Sequence, residues 1–299
     1  MRSHAMLREN AMGWLWISPW IVGFLAFLLV PMVLSFYYSF TDYPLMEPPL
    51  WVGMGNYLRM FGDDKFISSA GRTLVYAALA VPLSTVVALV IAGLLSTRVR
   101  LAGIYQAAVF IPTLVPMAAS GMVWLWLFNA QYGFINLLLA KVGIQGPGWF
   151  TDARPAWSMA SILIVGLWGV GQAVVVYVAA MHEVPGSLYE AADLDGMGPV
   201  RKFLNVTLPM ISPVILLNVV TLLIGAVQLF TVPFIVRAAT PGGQTSTMTF
   251  YSVYMFDNAF VYGQMGYACA MAWVQLVVVL ILTGLTFLAS KKLVHYRGA

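Results

Sequence analysis

The chain has 299 residues, of which 61% are hydrophobic and only 9% are charged, and its mean hydropathy is +0.86. A water-soluble core does not need so many apolar residues, so the sequence predicts an all-α integral membrane protein. The formal net charge is +4, yet no basic run exceeds two adjacent residues, which argues against nucleic-acid binding. The single cysteine, Cys269, and three scattered histidines exclude an internal disulfide and a clustered zinc site.

Stretches without charged residues predict six membrane-spanning helices in a single domain over 1–299, because about 20 apolar helical residues cross the hydrocarbon core. The first stretch follows Arg2 and Arg8, as in a signal peptide. It is predicted to be a membrane span instead, because it is much longer than the apolar part of a signal peptide and no small-residue cleavage site follows it. The spans are expected near 13–39, 73–97, 102–128, 156–181, 209–236 and 265–290.

Two other uncharged segments are not predicted to span the membrane. The segment 129–143, "NAQYGFINLLLAKVG", has a short amphipathic pattern that is typical of a helix at the membrane interface. The run 238–256 is broken by Pro241, Gly242 and Gly243, so we expect a loop with a small interfacial piece.

The distribution of Lys and Arg predicts that both termini are cytoplasmic, because positive residues accumulate on that side. With this orientation, nine basic residues lie inside: Arg2, Arg8, Arg98, Arg100, Arg201, Lys202, Lys291, Lys292 and Arg297. Six lie outside: Arg59, Lys65, Arg72, Lys141, Arg154 and Arg237. The polar segment 183–208 is then a cytoplasmic loop between the fourth and fifth spans.

The segment 183–208 is predicted to form two short helices joined at a glycine. Ser187 precedes Glu190 by three residues, which is the spacing of a capping box. Gly196 is placed to end the first helix, and Pro199 suits the first turn of the second, which leads into the span 209–236.

Two acidic residues, Asp193 and Asp195, fall near the end of the first helix, where the helix dipole disfavours anions. They are expected to face a cationic partner. The alternative is a solvated loop in which Glu190 only caps a helix.

The pattern Glu190-Ala191-Ala192, then Asp195-Gly196, then Phe203 and Leu208-Pro209, resembles the EAA signature of the membrane subunits of binding-protein-dependent ABC importers. The stretches "WLWISPWIVGFLAFLLVPMVLSFYYSFTDY", "GNYLRMF" and "MGYACAMAWVQ" resemble the carbohydrate-uptake branch, which is similar to the maltose-system large permease and glycerol-phosphate permease A. Gln244 stands where that branch commonly has proline, and a large outer insert of the maltose subunit is absent.

The resemblance implies a type I ABC importer permease fold in a prokaryotic inner membrane, with helices 2–6 as the core and helix 1 wrapping a second, homologous permease. It also implies two copies of a cytoplasmic P-loop ATPase, which would bind ATP and Mg, and an extracytoplasmic solute-binding protein. The resemblance assigns ATPase coupling to the loop through Glu190, Ala191, Ala192, Asp195, Gly196 and Arg201.

The sequence independently predicts a non-catalytic subunit without a cofactor, because no G-x-x-x-x-G-K-[ST] stretch occurs. The main alternative is a secondary transporter, but the central parts of the six spans lack the charged residues that usually couple ions. A purely structural protein is a third interpretation, which polar stripes inside the helices argue against.

These polar stripes predict a substrate pathway. Asn218, Thr221, Gly225 and Gln228 share one helical face, and Ser161, Trp168 and Gln172 share another. The alternative for each residue is packing of helix against helix. Uncharged polar groups beside a tryptophan favour a neutral sugar, with glycerol-phosphate or another small polar solute as the alternative. The residues assigned to the pathway are Trp168, Gly169, Gln172, Thr221, Gly225 and Gln228.

Overall fold

The computed structural model describes residues 2–96, 101–152, 154–239 and 246–293. The predictions that involve Arg98, Arg100, Gln244 and Arg297 therefore concern residues outside the described ranges. The chain is mostly helical and forms two compact units, one of Met1–Asp64 with Met255–Leu276 and the other of Lys65–Tyr254 with Val277–Ala299.

The first unit begins with a long apolar helix and adds a small polar motif. Its elements are α1 (Arg2–Phe24), a π-helical turn (Leu25–Leu29), α2 (Val30–Tyr38), the antiparallel strands β1 (Thr41–Asp42) and β2 (Leu50–Trp51), and α3 (Gly55–Met60). Asn56 is buried and donates hydrogen bonds to the carbonyls of Ser39 (2.9 Å) and Thr41 (2.8 Å), which fixes the turn after α2. No residue in the most apolar window of Met12–Tyr38 is buried.

The second unit contains most of the remaining helices. They are α4 (Asp64–Leu95), α5 (Ala102–Phe110), a 3-10 turn (Ile111–Leu114), α6 (Met117–Leu127), α7 (Phe134–Lys141), a 3-10 turn (Trp149–Thr151), α8 (Pro155–Trp168), α9 (Gly171–His182), α10 (Gly186–Leu194), α11 (Pro199–Lys202), a π-helical turn (Phe203–Thr207), α12 (Leu208–Val227), α13 (Thr231–Ala239) and a 3-10 turn (Ser246–Met248). After these come α14 (Tyr251–Phe256), a π-helical turn (Asp257–Val261) and α15 (Met265–Leu293), with residues in both units.

The described part of the chain has four helices long and apolar enough to cross a membrane, and up to six if each of two bent pairs counts as one span. The bends are 97° between Ala102–Leu114 and Met117–Leu127, and 47° between Pro155–Trp168 and Gly171–His182. The spans predicted near 102–128 and 156–181 therefore each consist of two helices that meet at a bend.

Local backbone chemistry explains both breaks. Val115 is extended and precedes Pro116, as the steric clash between a proline ring and the preceding residue favours. Gly169 ends α8, and α9 restarts at Gly171, whose missing side chain allows close contact with another helix.

Three other segments differ from the predicted organisation. The second helix begins at Asp64 rather than near 73. The prediction started this helix after Arg72, because charged residues limit an uncharged stretch, but Lys65 and Arg72 lie within the helix. The fifth span is helical from Pro199 rather than from 209. Residues 246–254 pack inside the chain as a 3-10 turn and the start of α14, since Tyr251 is buried and its N–H donates to Thr73 Oγ1 at 2.9 Å. The predicted position of the run 238–256 at the membrane interface stays a prediction, and Pro241, Gly242 and Gly243 lie outside the described residues.

Candidate functional site

The segment 183–208 begins with α10 and presents Glu190 to solvent. Pro185 is the residue that precedes the helix, and no side chain caps its first turn. Ser187 therefore lies inside the first turn, and the predicted capping box is wrong. The physical reason is that the extended Pro185 starts the helix earlier than Ser187 would, which leaves Glu190 exposed and free of a capping role.

The first helix of the segment ends in a Schellman motif at Gly196. The N–H of Met197 donates to the Ala192 carbonyl at 2.9 Å, and the N–H of Gly196 donates to the Asp193 carbonyl at 3.0 Å. Gly196 has φ +69°, a left-handed conformation in which glycine avoids the strain of a Cβ. Gly198 is extended and Pro199 starts α11, so the chain has the helix–glycine–helix arrangement that the sequence indicates.

The second helix of the segment continues without a break into the fifth span. The π-helical turn Phe203–Thr207 joins α11 to α12, and Pro209 lies in the first turn of α12. A widened turn accommodates a proline because the proline ring would otherwise clash with the preceding turn of the helix. The boundary predicted between 208 and 209 is therefore absent.

The segment is tied to the helices it connects and across its own bend. Tyr189 Oη and Thr207 Oγ1 form a hydrogen bond of 2.9 Å, which joins α10 to the start of the fifth span. Phe203 packs against Gly93 of α4, where an added Cβ would lie 3.0 Å from the ring. Lys202 Nζ donates to Asp193 Oδ1, which gives Asp193 a cationic neighbour in its own chain, while contact of Asp193 and Asp195 with a partner molecule stays a prediction.

The six residues assigned to ATPase coupling differ in their exposure. Ala192 is only 4% exposed and packs inward. The other five are exposed: Glu190, Ala191, Asp195, Gly196 and Arg201. Leu194 is 91% exposed beside them, and an apolar side chain so fully in solvent is unusual on a face without a partner. The sequence analysis did not identify Leu194, although the sequence places it between two acidic residues, Asp193 and Asp195.

A cavity of about 290 Å³ lies where the two bent helix pairs approach each other. Trp168, Gly169 and Gln172 line it, as do three polar residues that sequence reasoning missed, namely Tyr76, Thr113 and Ser120. The close approach depends on Gly171, where an added Cβ would lie 2.1 Å from the Val109 carbonyl oxygen. Pro112 and Pro116 were the sequence signal for the irregular backbone that places Thr113 and Ser120 here.

The polar face of α12 does not line this cavity. Thr221, Gly225 and Gln228 are exposed on the surface of the isolated chain, and Leu229 and Val232 contribute to the cavity wall instead. Thr221 Oγ1 donates to the Leu217 carbonyl at 2.9 Å, which satisfies the hydroxyl within its own helix. The structure therefore separates the predicted pathway residues into a cavity group and an exposed group.

The chain is similar to known transport proteins over nearly its whole length. Residues 84–295 match the family model described as "Binding-protein-dependent transport system inner membrane component". The chain is 36% identical over 300 residues to the "Probable ABC transporter permease protein YesP" of Bacillus subtilis (strain 168), covering 99% of this chain and 96% of that protein. It is 30% identical over 286 residues to the "Lactose transport system permease protein LacF" of Rhizobium radiobacter, covering 94% of each.

The fold is also similar to a solved structure. A chain in the "Crystal structure of a bacterial ABC transporter involved in the import of the acidic polysaccharide alginate" matches with a TM-score of 0.84 and 21% identity, covering 99% of this chain and 100% of that one. The chain therefore belongs to the family of binding-protein-dependent transport system inner membrane components, as a multi-pass membrane permease of the ABC importer type.

Proposed function

We propose that the protein is one of two permease subunits of an ATP-driven importer of a neutral sugar, and that it couples to a cytoplasmic ATPase through the segment 183–208. The observation that carries this proposal is the exposed face of Glu190 and Leu194 on a short helix tied to the fifth span. A mobile loop would not transmit a displacement from the ATPase to the membrane-spanning helices. The family assignment itself removes the secondary-transporter alternative.

The coupling mechanism follows from the rigidity of the segment. An ATPase bound at Glu190 moves α10 when it closes around ATP and Mg. The Tyr189–Thr207 hydrogen bond and the Lys202–Asp193 pair pass this displacement to α11. Because α11 and α12 form one helix, the displacement reaches the membrane-spanning part directly. The ATPase can shift the permease between inward-open and outward-open states only if its contacts differ between them. The docking face must therefore bind the ATPase more tightly in one of these two states.

Two exposed surfaces, one apolar and one polar, support a second, homologous permease as partner. The apolar window of Met12–Tyr38 has no buried residue, and this helix is expected to wrap the partner. The exposed face of Thr221, Gly225 and Gln228 combines polar groups with a residue that has no side chain. Such a face suits a pathway shared between two subunits, because polar side chains in lipid are unfavourable. Both termini are cytoplasmic in this arrangement, and a solute-binding protein delivers substrate on the other side.

The chemistry of the cavity favours a neutral polyhydroxyl substrate. Trp168 offers a ring face, and Gln172, Thr113 and Ser120 offer uncharged hydrogen-bonding groups. None of the residues that line the cavity is charged. Glycerol-phosphate, the alternative, carries a phosphate that usually binds Arg or Lys, so the cavity fits it less well. The name of one relative specifies lactose, which agrees with this substrate class.

Glu190→Ala tests the coupling role, with Glu47→Ala as a control because Glu47 is also exposed but lies outside the segment. The chain is purified from its native host in mild detergent, and the co-purified ATPase and the uptake of radiolabelled sugar by cells are measured. We expect Glu190→Ala to lose both and Glu47→Ala to keep both. Unchanged recovery and uptake in Glu190→Ala would remove the role assigned to the segment.

A further inference from the structure

The loop between α6 and α8 has a rigid construction that the coupling and cavity proposals do not use. Asn136 is buried, and its Nδ2 donates to the carbonyls of Ala130 (3.0 Å) and Pro147 (3.1 Å). Its Oδ1 accepts a hydrogen bond of 2.6 Å from Trp149 Nε1. One amide thus clamps three parts of the loop, and Gly146 leaves the space that the amide occupies, since an added Cβ would lie 2.0 Å from Oδ1.

Trp149 is held in a strained backbone conformation by this clamp. Its φ is +46°, which is an outlier for a bulky residue and carries an energetic penalty of about 1 to 3 kcal/mol. The indole also packs on Phe128 with ring centroids 4.5 Å apart. Strain of this kind persists only where the surroundings enforce it, and such positions cluster at binding sites. The loop therefore holds Trp149 in place as one wall of an adjoining cleft.

The cleft has a volume of about 700 Å³, which is within the range of small-molecule sites. Besides Trp149, its wall includes Trp157, Gln145, Asp152 and Arg154, and we call it the α7–α8 cleft. Gln145 is exposed and offers an amide, and the rings of Trp149 and Trp157 meet edge to face at 5.8 Å. Apolar ring surface and a few oriented polar groups therefore share one concave surface.

The charged pair in the cleft presents hydrogen-bond donors in a fixed direction. Arg154 Nε donates to Asp152 Oδ1 at 2.9 Å and Arg154 Nη2 donates to Asp152 Oδ2 at 2.8 Å, a bidentate pair. The carboxylate also accepts from the backbone N–H of Arg154 (2.9 Å) and of Gly148 (3.3 Å). These bonds, mainly the one from the Arg154 side chain, hold the pKa of Asp152 well below its usual range.

The hydrogen bonds already made by the pair indicate the ligand chemistry. Both Asp152 oxygens are already bonded, and the Asp152 side chain is 12% exposed. The Arg154 side chain is 68% exposed, and a guanidinium has five N–H donors, so about three remain for a ligand. Because Asp152 compensates the charge of Arg154, the pair favours neutral acceptors over anions. Sugar hydroxyl oxygens are such acceptors, and the apolar face of a sugar ring can stack on an indole.

We propose that the α7–α8 cleft is an accessory binding site for a neutral mono- or disaccharide, separate from the cavity at Trp168. The loop precedes α8, and the segment 183–208 follows α9, so one membrane crossing separates the cleft from the coupling segment. Under the proposed function, on which the substrate class and this orientation rest, the cleft faces the side from which substrate enters. Its role there is to retain sugar released beside the permease.

The test is saturation-transfer NMR on the purified full-length chain in detergent, with glucose, lactose and trehalose as probes and glucose 6-phosphate as a charged comparison. We expect at least one neutral sugar to bind with a Kd of about 1 mM and glucose 6-phosphate to bind more weakly. Arg154→Gln removes oriented donors and should raise this Kd about tenfold, and Trp157→Leu should raise it by a similar factor.

Matched variants distinguish sugar binding at the cleft from sugar binding elsewhere on the chain. Trp20→Leu removes an exposed indole far from the loop in sequence and should leave the Kd unchanged. Gln172→Leu should reduce uptake through the central cavity and leave binding at the cleft intact. Thermal unfolding of each variant checks that the fold is retained.

Two outcomes overturn the proposal. One is that no neutral sugar binds the native chain up to about 100 mM, well above the expected Kd. The other is that Gln172→Leu removes binding while Arg154→Gln and Trp157→Leu do not, which would place the sugar in the central cavity alone. Failure of the proposed function would look different, because the ATPase would be missing from the purified complex while sugar binding at the cleft persisted.

Discussion

Replacing Gly196 with alanine tests whether the bend in the coupling segment must have the geometry seen in the structure. The substitution places a Cβ on a residue with φ +69°, and no atom lies within 4 Å of that Cβ. No collision therefore contributes, and the whole effect comes from the left-handed backbone, which disfavours an L-residue by about 1 to 2 kcal/mol. An energy of this size corresponds to a factor of about 5 to 30 in an equilibrium constant.

The expected result is weaker docking of the ATPase with an otherwise intact fold. A free segment relaxes away from the strained bend, and the ATPase must restore it, so the docking Kd should rise by up to that factor. The assay measures binding of the purified ATPase subunit to the chain in lipid nanodiscs. Gly196→Asn should recover part of the affinity, because asparagine tolerates the left-handed region better than alanine.

Gly198→Ala is the matched control for this prediction. Gly198 has φ −70° and ψ 166°, an extended conformation that alanine adopts readily, and its added Cβ also meets open space. Docking should stay close to that of the native chain. Native-like docking of Gly196→Ala, or equal damage from both substitutions, would refute the reasoning that the left-handed bend at Gly196 positions the docking face.

Three further predictions concern the cavity and the loop. Gly171→Ala places a Cβ 2.1 Å from the Val109 carbonyl oxygen, so the helices must separate, and we expect a loss of about 2 kcal/mol or more of unfolding free energy. Asn136→Ala leaves the Trp149 indole N–H and two carbonyls without their amide partner, which should destabilise the chain by about 2 to 3 kcal/mol. Gln172→Leu should reduce sugar uptake and leave ATPase recovery unchanged, because the side chain lines the cavity outside the coupling segment.

Each of these predictions has a contrasting variant and a measurement. Thermal unfolding followed by tryptophan fluorescence compares Gly171→Ala with Gly225→Ala, where an added Cβ meets no atom within 4 Å; equal midpoints would contradict the close helix approach. The same assay compares Asn136→Ala with Asn205→Ala at an exposed position, and an unchanged midpoint for Asn136→Ala would contradict the clamp. Loss of ATPase recovery in Gln172→Leu would favour helix packing over substrate contact.

Local backbone chemistry made the coupling segment predictable. Gly196 and Pro199 act through their own φ preferences, so their positions along the chain indicate where one helix ends and the next begins. The Asp193–Lys202 pair was not predictable, because it spans the bend and depends on the angle between the two helices. The continuity of α11 and α12 was missed because Pro209 suggested a boundary that the π-helical turn removes.

The central cavity was predictable only in part. Hydropathy identifies apolar length but does not give the angle of a bend, so the spans near 102–128 and 156–181 were predicted without the bends that form near Pro116 and Gly169. Trp168 and Gln172 were found from their shared face, and the structure places both at the cavity. Thr221 and Gln228 also share a helical face, yet that face is exposed. Helical spacing predicts which residues lie on the same face of a helix, but it does not predict what packs against that face.

The most direct test of the coupling claim is purification of the native chain from its own membrane in mild detergent, with mass identification of the bound proteins and an ATPase assay. We expect recovery of a P-loop ATPase and a second permease with its own EAA segment, and ATP hydrolysis that falls when Glu190 is replaced by alanine. Recovery of the chain alone, with solute transport that continues without nucleotide, would contradict the coupling role of the segment 183–208.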